Sequence, residues 1–134
     1  MTLVTYGSGW LAAALLAVAI LAAGLTFVRR RASTRPTTGW VRAHNWIGGA
    51  AATVGITHGM LSVTRDQLAV GAEIGLWVAS AAAALLIWEA GLGVLLSAPH
   101  TPHRARLRRR HLAIMLALVV AVTVHVVLNG PVPR

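Results

Sequence analysis

Long apolar runs, rather than short alternations of apolar and polar residues, organise this chain. The first covers about residues 9–28, contains no charged residue and stops at Arg29, Arg30 and Arg31. Residues 32–39, with Pro36, read as a polar turn. The second run covers about residues 40–63 and ends before a short polar turn of Thr64, Arg65, Asp66 and Gln67. The third covers about 68–97, and a loop with Pro99 and Pro102 follows it. The fourth covers about 107–128 and meets Asn129, Gly130, Pro131 and Pro133. Crossing the hydrocarbon core takes about 20 apolar residues as a helix. Each such segment must also satisfy its own backbone hydrogen bonds there, which selects helix over open sheet. The pattern therefore predicts an all-α fold, an integral membrane four-helix bundle that fills residues 1–134 as a single domain. The third run exceeds the membrane thickness and is expected to tilt or protrude.

Composition agrees with that class. Of the 134 residues, 57% are hydrophobic and only 11% charged, too few charges for a soluble domain of this length. Net charge is +9, carried by arginine without any lysine. The arginines sit at the ends of apolar runs, so topology and anionic lipid explain them better than nucleic acid does. Five of them, Arg29, Arg30, Arg31, Arg35 and Arg42, flank the first connection, and Arg104, Arg106, Arg108, Arg109 and Arg110 flank the third. The second connection has only Arg65 and the C-terminus only Arg134. The positive-inside rule makes connections one and three cytoplasmic. Both termini are then expected outside, with the second and fourth spans parallel. The absence of cysteine excludes disulfides, iron–sulfur clusters and a thioether-linked haem.

Two segments carry the candidate chemistry, "RAHNWIGGAAATVGITHG" at 42–59 and "RRRHLAIMLALVVAVTVHVVLNG" at 108–130. Each has two histidines 14 residues apart, His44 and His58 in one, His111 and His125 in the other. Fourteen helical residues turn through about 1400° and rise about 21 Å. Each pair therefore shares one helix face, with one member near each membrane surface. In parallel spans His44 is level with His111 on the inner side, and His58 with His125 on the outer side. Two stacked histidine pairs suit two b-type haems, whose iron takes an imidazole from each side of a flat apolar ring. Gly48, Ala51 and Gly55 lie between the histidines of the second span, and glycine permits close approach of a macrocycle or a helix. Met115, Leu118 and Val122 occupy the same line on the fourth. Zinc is a rival, but it wants about four ligands and each level supplies two clear ones. A proton relay leaves the paired levels unexplained. Histidines that only bridge helices would describe a haem-free membrane assembly subunit.

The constellation resembles dihaem membrane cytochromes b. The four-helix bundle of the bc-complex cytochrome b also places its ligands on its second and fourth helices, but its second helix runs from outside to inside. The transmembrane core of ferric reductases and NADPH oxidases has ligand helices running from inside to outside, as the charge bias expects here. That resemblance implies transmembrane electron transfer, with His44 and His111 on the inner haem iron and His58 and His125 on the outer. The flavin and nicotinamide domain of ferric reductases has no counterpart in these residues, so the expected electron source is quinol or a separate redox protein. Reduction of a quinone or a metal ion at a haem edge is the catalytic alternative. Expected partners are membrane lipid and that quinone or redox protein, with no nucleic acid; an oligomer is compatible with the pattern. The Ala- and Arg-rich composition points to a bacterial cell membrane.

Further residues receive narrower readings. Arg42 and Arg110 precede the inner histidines and are candidates to pair with haem propionates, or simply to anchor the helix ends. Glu89 lies inside the third span. It is read as a protonated helix contact, a surface-seeking side chain, a proton group for quinone, or the orienter of a ligand histidine. His100 and His103 read as loop residues, and the arginines after them as a surface for anionic lipid or an acidic donor. Trp10, Trp40 and Trp77 read as interface belt residues, Trp46 and Trp88 as packing residues.

Overall fold

The computed structural model describes residues 3–32, 38–63, 73–98 and 100–129. It holds four helices, α1 (Leu3–Ala32), α2 (Thr38–Val63), α3 (Glu73–Ser97) and α4 (Arg104–Asn129). Three of them contain segments long and apolar enough to cross a membrane, Leu3–Val28, Ile74–Ser97 and Arg104–Leu128. The helix α2 has comparable length but is diluted by Arg42, Asn45, two histidines and several glycines. It is not among the three.

The boundaries differ from the expected ones in an instructive way. Helix α1 starts at Leu3 rather than near Gly9, because a polar first turn costs little when its hydroxyls bond inward. Ser8 Oγ donates to the carbonyl of Thr5 at 2.9 Å. Elsewhere Thr26, Thr53, Thr57 and Thr123 each donate to the carbonyl four residues back. Such back-bonding lets a hydroxyl sit in an apolar helix without an orphan polar group. Helix α1 also continues through Arg29–Arg31, and α2 begins at Thr38; residues 33–37, with Pro36, lie outside the described residues. The turn at 64–67, the start of the third run at 68–72 and the C-terminal Gly130, Pro131, Pro133 and Arg134 lie outside the described residues. So do Arg35 and Pro99.

Contacts divide the chain into two compact units, Met1–His58 and Gly59–Arg134. In the first, the bonds of His44 to Ala19 and His58 to Thr5 set α1 and α2 antiparallel. Ala19 and Ala22 are buried on α1, Ala51 and Ala52 on α2. Small residues let helix backbones approach closely where lipid offers no hydrophobic drive to associate. In the second, Ala82 and Leu92 of α3 and Leu118 of α4 are buried, Leu118 to 1% exposure.

The connection from α3 to α4 is closed by its own polar groups. Thr101 Oγ1 donates to the carbonyls of Leu95 and Ala98, and Arg104 reaches back to the carbonyl of Leu96 at 2.6 Å. The last carbonyls of α3 thus gain partners that the helix cannot supply. His103 takes a left-handed φ of 55°, and its carbonyl accepts from the amides of Arg106 and Leu107. That conformation is uncommon for a residue with a side chain and here starts α4.

Large apolar side chains such as Leu21, Phe27, Trp77, Val94 and Val120 are exposed on the helix surfaces. This much outward apolar surface matches a lipid environment. Trp46 and Trp88, expected in packing, are exposed as well, at 76% and 60%. Depth along a helix does not determine its face, and both indoles lie on outward faces.

Candidate functional site

In the first unit, α1 presents backbone oxygens to both histidines of α2. His44 Nδ1 donates to the carbonyl of Ala19 at 2.9 Å. His58 Nδ1 donates to the carbonyl of Thr5, also at 2.9 Å. The two acceptors are themselves 14 residues apart, so the antiparallel register of α1 against α2 holds without slip between the two levels. A carbonyl in helix normally serves the amide four residues on, but its second lone pair remains available.

The His58 end is the more elaborate. Ser8 Oγ lies 3.2 Å from His58 Nδ1 and adds a second oxygen beside the ring proton. Gly9 stands against the imidazole, where a Cβ would come within 2.9 Å of its Cε1. Glycine is required there by space.

In the second unit the acceptor has a different character. His111 Nδ1 lies 3.0 Å from Glu89 Oε1 of α3. The side chains of His111 and Glu89 are 24% and 12% exposed. The approach has the distance of an ion pair but falls off the line of a well-directed hydrogen bond. The other carboxylate oxygen, Oε2, is buried without a hydrogen-bond partner among the described residues. Glu89 therefore turns inward to a neighbouring helix and does not seek the surface. His125 is half-buried on α4, 14 residues beyond His111.

These contacts fix a chemical property. A carbonyl has no proton to give, so His44 and His58 must carry their proton on Nδ1. Their lone pair then lies on Nε2, the tautomer with which an imidazole binds a metal through Nε2 while its N–H is held by an outer partner. A carboxylate at Nδ1 favours the same tautomer in His111. Each imidazole so held has the tautomer of an Nε2 metal ligand. Among the described residues, no three His, Cys, Asp or Glu side chains gather as a metal-binding group.

The remaining expected site residues fall as follows. Between the α2 histidines, Ala51 is buried while Gly48 and Gly55 are half-buried, and nothing lies within 4 Å of a Cβ built on Gly48. On α4, Leu118 is buried and Met115 and Val122 are half-buried. Arg42 and Arg110 are exposed near the helix ends, as are His100 and His103. Sequence reasoning missed Thr5, Ser8, Gly9 and Ala19. The acceptors among them act through the main chain, which leaves no mark in residue type. Gly9 had only its small size as a signal. Comparison with protein families, with curated proteins and with solved structures finds no match for this chain.

Proposed function

We propose that this chain is a membrane electron-transfer cytochrome holding two b-type haems, one near each surface of a bacterial cell membrane. In this reading α2 spans the membrane as well as α1, α3 and α4, and both termini lie outside. His44 and His111 hold the inner haem, and His58 and His125 the outer. A bis-histidine haem exchanges single electrons without opening a ligand position. The protein's part is to aim Nε2, to hold Nδ1 and to keep water from the pocket. Gly48 leaves room on α2 and Gly55 is a second small position on that helix, and Arg42 and Arg110 stand at the end where propionates would emerge. Electrons come from quinol or a separate redox protein.

The observation that supports this reading best is the matched pair of Nδ1 bonds, His44 to Ala19 and His58 to Thr5, at one 14-residue spacing on both helices. It gives two identical ligand-type tautomers about 21 Å apart along one helix. The same bonds also join α1 to α2, and this favours a second reading, a haem-free membrane subunit whose histidines bridge helices. A reduced-minus-oxidised visible spectrum with haem counted per chain separates the two. Protein from haem-supplied cells is expected to carry two low-spin b haems, and His58→Ala one. A well-folded, colourless wild type would leave the helix-bridging reading.

A further inference from the structure

Glu89 is a carboxylate inside an apolar helix, and its stability value is poor. A charge removed from water costs several kcal/mol unless well paired. Here one oxygen faces His111 Nδ1 and the other is buried without a hydrogen-bond partner among the described residues. Half-satisfied buried polar groups are worse than apolar replacements of the same shape. The pair is therefore better explained by what it does to the imidazole than by what it adds to the fold.

The contrast with α2 shows what that is. His44 and His58 give their Nδ1 proton to neutral carbonyls. His111 faces an acidic group, the one acid whose side chain is described within these helices. A carboxylate 3.0 Å from Nδ1 attracts the ring proton electrostatically more than a neutral amide oxygen does, even off the line of a directed hydrogen bond. The ring left behind is more electron-rich and a stronger donor at Nε2. An ionised carboxylate beside the ring would also act in a medium of low dielectric, where charge is weakly screened. Both effects favour the more highly charged, oxidised iron over the reduced one.

We propose that Glu89 is a positioning residue that holds His111 Nδ1 and lowers the reduction potential of the haem bound at that level. The proposal rests on the dihaem reading. It requires no change in how many haems bind, only in how readily one of them accepts an electron.

The test is a spectroelectrochemical titration of the haem-loaded chain, wild type against Glu89→Gln, with haem per chain measured on each sample. Glutamine keeps size and an acceptor oxygen but removes the charge. With two haems still bound, one midpoint is expected to rise by at least the equivalent of a tenfold change in the reduced-to-oxidised ratio, about 59 mV for one electron. The midpoint that moves should be the one missing from His44→Ala. Two unmoved midpoints with two haems present would overturn the role of Glu89 and leave the cytochrome reading standing. A wild type that binds no haem would overturn both. Should Glu89→Gln lose a haem, Glu89→Asp decides. Recovery of the haem with a low midpoint supports the charge, whereas an equally haem-poor Asp variant assigns Glu89 to shape alone and ends the proposal.

Discussion

The two units solve one problem, how to hold an imidazole inside an apolar helix pair, in different ways. In Met1–His58, α1 offers main-chain carbonyls at two levels, and the ring protons of His44 and His58 find them at equal distance. In Gly59–Arg134, α3 offers an acidic side chain to His111. A carbonyl acceptor is neutral and comes with the helix itself, so its cost is small and its effect on the ring mild. A carboxylate brings charge, leaves a second oxygen to be accommodated and perturbs the ring more. The first arrangement suits placement, the second suits adjustment.

That contrast can be broken from the α1 side. The largest effect is expected at Gly9, where a methyl group must displace either the His58 ring or the helix. Gly9→Ala should cost about 1–3 kcal/mol, the usual range for overpacking. If the dihaem proposal holds, the substitution should also empty the outer haem level. Unfolding in detergent and the haem-to-chain ratio together check this, and unchanged stability with two haems would remove Gly9 from the site. Gly48→Ala sharpens the comparison in the opposite sense. The chain has space for its methyl group, and helix propensity alone predicts a gain of up to about 1 kcal/mol. Under the dihaem proposal, a fall in haem content despite that gain would place the macrocycle against Gly48, and undiminished haem content would place it elsewhere. The smallest effect belongs to Ser8→Ala. Thr5 still accepts the His58 proton, so a loss of about 0.5–1 kcal/mol is expected, with both haems retained. A variant that drops one haem would show that the hydroxyl, not the carbonyl, holds the ring.

Much of the architecture was legible in the sequence because lipid enforces length and apolarity on any segment that crosses it. The four helices fall on the four apolar runs, although α1 opens six residues early and α4 three. Those errors share a cause. Hydroxyls and arginines look like loop residues, yet Ser8 bonds within its own helix and Arg104 bonds back across the turn to Leu96. The histidine spacing was equally legible, since a 14-residue interval returns to nearly the same helix face. The partners of those histidines were not. Glu89 stood out as a buried acid, but its opposite number depends on the antiparallel register of α3 and α4, set by the closed connection between them. Ala19 and Thr5 could not stand out, because they contribute through atoms common to every residue.

That last point reaches into how such a protein can change over generations. The oxygen atoms that hold His44 and His58 cannot be removed by exchanging a side chain at Ala19 or Thr5. Selection at Ala19 can act on bulk and helicity alone, and at Thr5 on its buried hydroxyl as well. Apart from Gly9 and Ser8, helix α1 is accordingly free to drift through many apolar sequences while its two anchoring points persist, so descendants of this chain should keep the histidines long after most of the helix beside them has changed.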